Sequence, residues 1–401
     1  MPLTAPQLER YADVLVWAVA AARNRPFRKG DMVRIASDLA ARPLAEIVYR
    51  KIMEKGWNPV VRFLETPGME RNFYSTADAD QLVFIAPGTP EFNEKLNGSI
   101  FLSAPESLTH LKKVDTRRIG KAAVARKPLR EILTRREEKG AFGWTLCTYP
   151  TPELAAKAGL SLTAYTQEIV RACYLDSPRP VVEWQTLFRR AQRLKKALNA
   201  LRVHCFHVES KGTDLKITPG EKRQWMGVSG HNIPSFELFT SPDWRGTEGV
   251  YYANLPSYRS GNYVEGVRLE FVKGSAVRVS ARKGEAFVKK MLKMDATSNK
   301  VGEFSLTDKR FSRISRFMAD ILFDENFGGK NGNCHLAVGS SYSDTFAGNP
   351  ARLTKARKKA LGFNDSALHW DLINTEEKRV TAVLKDGTRK VIYEKGVFTL
   401  D

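Results

Sequence analysis

Near its C-terminal end the chain carries SALHWDLI (366–373), a run in which a histidine and an aspartate interrupt apolar residues. In an extended strand successive side chains alternate between faces, so His369 and Asp371 would share one face and Trp370 would lie on the other. A buried carboxylate is costly unless it is paired or coordinates a metal. The segment alone therefore leaves two interpretations open, an edge strand with one wet face or a strand that presents ligands to a cation.

Other acids and histidines of the second half also stand beside apolar or small residues instead of in charge runs. They are Glu237 in NIPSFELFTSPDW, Glu303 in VGEFSL, Glu325 in FDEN, and His335 and Tyr342 in NCHLAVGSSYSD. Mixed carboxylate and imidazole ligands suit zinc, cobalt or manganese, and several carboxylates together suit two ions that share a bridge. Taken singly, such residues are more often surface acids or hydrogen-bonded core histidines.

The cysteines indicate reduced thiols. Cys147, Cys173, Cys205 and Cys334 are scattered singly with no CxxC pair, which argues against a disulfide framework and a thiolate zinc site. In HCFH (204–207), Cys205 and His207 would share a strand face and could bind a metal. A strand of the core is the more frequent outcome for such a pattern.

The elements that must position these residues follow from periodicity. In the first half, strand-like runs at 31–37, 59–65, 81–87, 99–105 and 143–150 alternate with helical patterns at 5–23, 40–55, 114–139 and 152–159. This predicts an α/β N-terminal domain with a mostly parallel sheet. No GxGxxG or Walker sequence follows these strands, so a nucleotide site is unsupported.

Two further helices, at 161–174 and 179–201, lead to a second half with a different texture. Short strands and turns after residue 202 predict hairpins, interrupted by helices near 284–294 and 308–321. We therefore predict a domain of residues 1–203, followed at 204–401 by an α+β domain rich in antiparallel strands.

Composition is that of an ordinary globular protein, with 401 residues of which 42% are hydrophobic and 27% charged. The apolar stretch VLVWAVAAA (14–22) is far shorter than the roughly 20 residues that a membrane span requires. It has no signal-peptide cleavage pattern. These features predict a cytoplasmic protein without a membrane segment.

The formal net charge of +20 raises a rival function, nucleic-acid binding. Basic segments lie at 126–139, 189–202 and 352–362. Within 189–202 apolar residues recur at helical spacing, as in an amphipathic helix packed on a core. Aromatic residues are not interleaved with the charges as a stacking platform for single strands requires. Nucleic-acid binding is therefore the less supported alternative.

The ordered succession FELFTSPDWRGTEG, YVEGVRLEF, GEFSL, ILFDEN, HLAVGSSY and ALHWDLI resembles the thermophilic metallo-aminopeptidase family of aminopeptidase T and aminopeptidase S. The resemblance covers most of the chain and is strongest from 204 to 375. It implies that the second domain is a metallopeptidase domain. It also implies a dinuclear centre with Glu303 as the bridge and Tyr342 as a catalytic tyrosine; the implied ligands are Glu237, Glu303, His335, His369 and Asp371.

Two acids have a less direct correspondence. Glu325 matches a further acid of the family and is a sixth candidate ligand, but the glycine-rich FGGKNGN (327–333) separates it from His335. We expect this inserted loop to be a mobile surface turn that bulges outward. Glu265 in the VEG motif is expected to be structural or to support the ligands from outside.

The resemblance implies a metal-dependent aminopeptidase that acts on peptides with a free N-terminus. Its cofactors would be two divalent ions (zinc, cobalt or manganese), which lower the pKa of a water and polarise the scissile carbonyl. It also implies a homodimer. One alternative is a catalytically decayed peptidase fold that only binds peptides; the other is the basic nucleic-acid-binding protein.

Overall fold

The computed structural model describes residues 2–400. The chain forms two compact units, each built from separate segments. The first unit contains Met1–Phe188, Val228–Ser235 and Met318–Leu322, and the second contains Arg189–Gly227, Phe236–Phe317 and Phe323–Asp401. The predicted domain boundary between residues 203 and 204 stays a prediction.

The helices, in chain order, are α1 (Ala5–Ala21), α2 (Arg42–Glu54), α3 (Pro67–Thr76), α4 (Thr89–Lys95), α5 (Thr116–Glu138), α6 (Pro152–Lys157), α7 (Leu162–Ala172), α8 (Pro180–Ala200), α9 (Glu285–Met291), α10 (Ile321–Asp324) and α11 (Lys355–Ala360). The strands are β1 (Met32–Ser37), β2 (Asn58–Phe63), β3 (Gly98–Ser103), β4 (Gly143–Thr148), β5 (Val203–Ser210), β6 (Asp214–Ile217), β7 (Asn232–Ile233), β8 (Glu237–Thr240), β9 (Glu248–Ala253), β10 (Ser257–Arg259), β11 (Asn262–Val272), β12 (Ser275–Lys283), β13 (Val301–Thr307), β14 (Asn333–Gly339), β15 (His369–Asn374), β16 (Lys378–Leu384), β17 (Arg389–Glu394) and β18 (Val397–Phe398).

The first unit is an α/β fold around a parallel sheet of order β2-β1-β3-β4-β7. Its helix α1 begins where the Thr4 side chain accepts the Gln7 N–H and Gln7 bonds back to Thr4, a capping box. The buried face of α1 includes Tyr11, whose hydroxyl donates to the carbonyl of Thr148 at the end of β4 (3.0 Å). The predicted α/β fold with a parallel sheet is confirmed. None of the helices within residues 2–400 has both the length and the apolar character needed to cross a membrane.

The strand predicted at 81–87 is wrong. A short 3-10 helix lies at Gln81–Val83, and Phe84 is 65% exposed instead of buried. The turn has a local cause, because the Asp78 carboxylate accepts the N–H groups of Asp80 and Gln81. Those bonds curl the chain where apolar composition alone favours a strand.

The second unit contains two antiparallel sheets. One has nine strands, in the order β10-β11-β9-β6-β5-β16-β17-β18 with β12 added on β11; the other has four, in the order β15-β14-β13-β8. The apolar face of the four-stranded sheet packs on the larger sheet, with the rings of Phe304 and Phe206 5.9 Å apart. The hydroxyl of Tyr251 on β9 also donates to the carbonyls of Cys334 and Leu372 (3.1 and 2.7 Å). The predicted antiparallel C-terminal half is confirmed.

The helix predicted near 308–321 is also wrong, since residues 308–320 contain no helix and α10 begins only at Ile321. Phe311 and Ile314 are buried at helix-like spacing, but the chain around them is irregular. The Asp308 carboxylate accepts the N–H of Arg310 and that of Phe398. The Ile314 carbonyl accepts the N–H groups of Gly328 and Gly329. Long-range partners thus take the backbone groups that a helix would use.

The inserted loop at 327–333 was expected to project into solvent, but it does not. Gly328 and Gly332 are buried. The Lys309 ammonium donates to the Lys330 carbonyl (3.1 Å), and the Asn331 side-chain amide donates to the Thr375 carbonyl (3.3 Å). The loop is therefore packed against the body of the second unit, and it joins α10 to β14, the strand that carries His335.

A buried lysine holds the segment around Gly227, which precedes β8 in the chain. The Lys195 ammonium on α8 donates to the carbonyl of Gly227 (2.9 Å). A side chain at Gly227, whose φ is +114°, would collide with the Glu237 carbonyl, so the two segments run in close contact. Burial lowers the pKa of Lys195 to about 8, although Asp344 opposes the change.

Replacing Gly332 should destabilise the fold through the packed loop. Its φ is +58°, and an added Cβ would clash with the Tyr393 hydroxyl and lie 2.6 Å from the Thr307 carbonyl. Gly332→Ala should lower the free energy of unfolding by about 3 kcal/mol, measured by urea titration. The matched control is Gly387→Ala, because Gly387 has φ +86° with nothing within 4 Å; it should cost only about 1 kcal/mol. Equal losses in the two variants would contradict the packed loop.

Lys195 should give the stability a pH dependence above pH 8. The pKa is about 8 in the folded protein and near 10.5 when unfolded, so the penalty for burying the charge is present below pH 8 and is relieved between pH 8 and 10.5. The free energy of unfolding should therefore rise across that window by about 2 kcal/mol relative to Lys195→Met. Lys196 is exposed, and Lys196→Met is the control; the difference between its free energy of unfolding and that of the parent should not change with pH. A pH-independent difference for Lys195→Met would show that the pKa of Lys195 is not lowered.

Candidate metal centre

One face of the four-stranded sheet collects the side chains that the sequence singled out. Small residues separate them across the strands: Glu303 on β13 is opposite Ala337, and Ala337 is opposite Asp371 on β15. His369 is opposite Gly339. A register shift between Val301 and Glu303 marks a bulge where β13 enters the site. Strand alternation thus sends five of the six predicted ligands to one side and apolar residues to the other.

A first group is formed by Glu237, Glu303 and His335, which offer ligand atoms within 4.8 Å of one another. All three are buried. The His335 Nε2 lies 3.2 Å from a Glu303 oxygen and 3.3 Å from a Glu237 oxygen. The His335 Nδ1 is buried with no hydrogen-bond partner among residues 2–400. Contacts at Nε2, together with packing, therefore orient this ring.

A second group consists of Glu303, His369 and Asp371, again with ligand atoms within 4.8 Å. The His369 Nε2 lies 3.3 Å from Asp371 Oδ1 and 3.5 Å from Glu303 Oε2. Its Nδ1 is 2.8 Å from the Ser340 carbonyl. Because a carbonyl only accepts, Nδ1 must carry a proton, which in the neutral ring leaves the Nε2 lone pair directed at the carboxylates. This is the arrangement of a histidine prepared to bind a metal.

The electrostatics of the face show excess negative charge. Burial raises the pKa values of Glu237 and Glu303 to about 8, and neighbouring carboxylates add to the effect. Burial acts in the same direction on Asp371, but His369 and His335 hold the pKa of that carboxyl well below its usual range. Within residues 2–400 no lysine or arginine forms an ion pair with these three acids. Divalent cations would supply the missing positive charge, and the donor set of carboxylates and imidazoles fits them.

Tyr342 lies at the rim of the same face. Its ring contacts those of His369 (centroids 4.8 Å apart) and Phe239 (5.6 Å). Its backbone N–H donates to the Ser241 hydroxyl (2.8 Å), which holds the start of the β14–β15 connection. Partial burial, followed by the charges of Glu303 and Asp371, raises the pKa of Tyr342 well above its ordinary value. The phenol therefore keeps its proton and can act as a donor.

Glu325 is not brought into either group. The carboxyl is buried, and its Oε1 accepts from the Asn326 amide at 3.4 Å. Its charge contributes to the raised pKa of Tyr342, so it lies within electrostatic reach of the rim. The ligand role for Glu325 stays a prediction. Glu265 pairs with Arg282 and Lys283 across the β11–β12 hairpin, which is a structural role.

Sequence reasoning missed three residues that shape the site. Phe239 lies two residues after Glu237 on β8 and contacts Tyr342. Ser305 lies two residues after Glu303 and donates to Glu237 Oε2 (2.8 Å). The sequence does contain a signal for Phe239 and Ser305, because residues two apart in a strand share a face. Ser340 acts through its carbonyl, which no side-chain pattern reveals.

The geometry provides for binding divalent cations at a water-restricted face beside a protonated phenol. Glu303 is common to both groups, so the face could hold one cation or two. A bound cation next to a hydrogen-bond donor is an arrangement that can polarise a carbonyl and stabilise developing negative charge.

Comparison with known proteins agrees with this chemistry. The chain is 31% identical to aminopeptidase T of Thermus thermophilus over 313 residues, which are 73% of this chain and 74% of that protein. It is 26% identical to aminopeptidase AmpS of Bacillus subtilis over 392 residues, 92% and 94% of the two chains. The match to aminopeptidase T of Thermus aquaticus is 33% identical and spans 62% of that protein.

The fold has a solved counterpart in wild-type AmpT from Thermus thermophilus. The TM-score is 0.78 at 23% identity, and the superposition covers 98% of this chain and 99% of that one. Residues 4–398 match the family described as thermophilic metalloprotease (M29). The resemblance inferred from six ordered motifs is thereby confirmed, together with the prediction of a metallopeptidase. The chain belongs to the thermophilic metalloprotease family M29.

Proposed function

We propose that the protein is an aminopeptidase that hydrolyses the N-terminal peptide bond of peptides with a free N-terminus, using two divalent cations. The observation that carries the proposal is the pair of ligand groups sharing Glu303 on one buried sheet face. In this assignment Glu303 would contribute to both ion sites. Glu237 and His335 would complete one site, and His369 and Asp371 the other.

The cations, when bound, would supply Lewis-acid polarisation of the scissile carbonyl and a water of lowered pKa. The chain's own residues have separate tasks. The Ser340 carbonyl fixes the tautomer of His369, and the Ser305 hydroxyl orients Glu237. The Tyr342 phenol would donate a hydrogen bond to the oxyanion that develops at the scissile carbonyl, an effect worth about 3 kcal/mol when the donor is preorganised.

The proposal keeps several expectations drawn from the sequence: zinc, cobalt or manganese as the ions, a cytoplasmic location, and a homodimer. It sets nucleic-acid binding aside, and the burial pattern of α8 supports that choice. Leu194 and Leu198 of this helix are buried, whereas Arg190 and Arg193 are exposed, so the charges form a solvated helix face. A decayed peptidase that only binds peptides is the remaining alternative.

Metal removal should abolish the activity. Prolonged dialysis against a chelator should eliminate hydrolysis of an unblocked amino-acid arylamide, and zinc, cobalt or manganese should restore it. The same arylamide with an acetylated α-amine should not be cleaved at any stage. Full activity in protein shown to be metal-free would refute the proposal. Stoichiometric metal without turnover of any unblocked peptide would identify the decayed alternative.

Two substitutions should separate metal binding from turnover. His335→Ala should lose one ion or its tight binding, because neighbouring groups do not replace a lost ligand. Tyr342→Phe should retain the metal but lower kcat on the order of 100-fold, because it removes an oxyanion donor and no ligand. His207→Ala is the matched control, since His207 pairs with Asp214 on another sheet; elemental analysis and kinetics should be unchanged. Unaltered metal content and turnover in His335→Ala would remove His335 from the centre.

A further inference from the structure

We propose that Arg259 binds a carboxylate of the peptide substrate and thereby favours short peptides whose C-terminal carboxylate lies close to the scissile bond. The inference rests on the proposed function, because it concerns the substrate of the same site. An acidic side chain that follows the scissile bond would present the same chemical group, so it is a second source of the anion.

Arg259 ends strand β10, beside the strand that carries two ligands. The segment leading to it runs along the outer edge of β15, where the Leu255 N–H donates to the Ile373 carbonyl (3.2 Å). The Arg259 Cζ lies 5.5 Å from the ring centroid of Trp370, the residue between His369 and Asp371. The positive charge of Arg259 contributes to the lowered pKa of Asp371. Trp370 is on the apolar face of β15, an edge strand of its sheet, so Arg259 lies at the border of the candidate centre and not among its ligands.

The guanidinium has no hydrogen bond or ion pair with any residue from 2 to 400, although the side chain is half-buried. Burial lowers the pKa of Arg259 to about 10 while Asp371 opposes the change, so the charge is poorly solvated. The guanidinium nitrogens are not among the fully buried atoms of residues 2–400 that have no partner, so they still reach solvent. A carboxylate that is present only during the reaction can therefore bind them.

Neighbouring cations, unlike Arg259, have carboxylate partners. On β12, which like β10 pairs with β11, Arg278 pairs with Glu270, and both Arg282 and Lys283 pair with Glu265. Arg259, on the same set of hairpins, differs from them in having no carboxylate partner. Three of these four side chains thus have a structural use for their charge, and the remaining one borders the ligands.

The chemistry of the group selects the ligand. A guanidinium presents planar, paired N–H donors that match a carboxylate in a bidentate fashion. The carboxylates of the centre already contact His335 and His369. In a dipeptide the terminal carboxylate is only one residue from the scissile carbonyl, so a cation at the border of the centre can reach it. In a long peptide the carboxylate is remote, and the contact is lost.

The test compares three substrates with the same N-terminal residue: a dipeptide, its C-terminal amide, and an amide whose second residue is aspartate. Wild-type protein should prefer the dipeptide over its amide in kcat/KM by about 10- to 100-fold, the range of a charged hydrogen bond. Arg259→Met should reduce this ratio to near 1, and Arg259→Lys should retain part of it. The control Arg278→Met, 81% exposed on β12, should keep the wild-type ratio. The aspartate substrate shows whether a side-chain carboxylate is recognised as well.

A binding measurement makes the inference independent of turnover. Calorimetry with a dipeptide analogue that has a reduced, uncleavable bond, and with its amide, should show carboxylate preference in wild type and none in Arg259→Met. An equal loss for carboxylate and amide ligands would mean that Arg259 acts through Asp371, and it would overturn the inference. If wild-type protein cleaves no substrate, the proposed function fails, whereas the carboxylate preference in binding still decides the role of Arg259.

Discussion

The second unit is organised around buried negative charge. Three acids and two imidazoles occupy one face of a four-stranded sheet, and two of the acids are almost fully excluded from solvent. Such a set is unfavourable without a compensating cation. The surroundings fit this constraint: small residues separate the ligands, and the opposite face of the sheet is apolar. One side of the sheet packs on the larger sheet, while the polar side carries negative charge that a bound cation would balance.

The candidate ligands and the proposed hydrogen-bond donor lie on different kinds of backbone. The five candidate ligands are on or at the start of strands paired in one antiparallel sheet, where neighbouring strands restrict their positions. Tyr342 begins the long connection between β14 and β15, and its N–H is held by Ser241. Strands give geometric precision, whereas a loop can adjust to a substrate. The candidate ligands are thus on rigid positions, and the proposed donor Tyr342 is on a segment with more freedom.

Much of this arrangement could be predicted from the sequence, because it depends on local alternation. The polar pair His369 and Asp371 in an apolar run indicated a two-faced strand, and repeated apolar runs separated by helical patterns indicated the parallel sheet. The failures have two causes, one local and one long-range. Residues 81–87 have strand composition but a capped turn, and Ile314 has helical spacing but a carbonyl engaged by a distant loop. Arg259 was missed because its significance lies in lacking a partner, which only the folded chain reveals.

The first unit is built from three chain segments. This affects how it folds during synthesis and whether its N-terminal part can be produced alone. Strand β7 covers the edge of β4, and the Met318 carbonyl accepts the Tyr165 hydroxyl. A nascent chain that has emerged only as far as the end of α8 has neither contact. It exposes an unpaired strand edge, which invites association with other chains. An isolated N-terminal half would therefore be prone to aggregate, because the parallel sheet reaches its full width only after β7 has emerged, and the Met318 contact forms only after β8 and β13 have emerged.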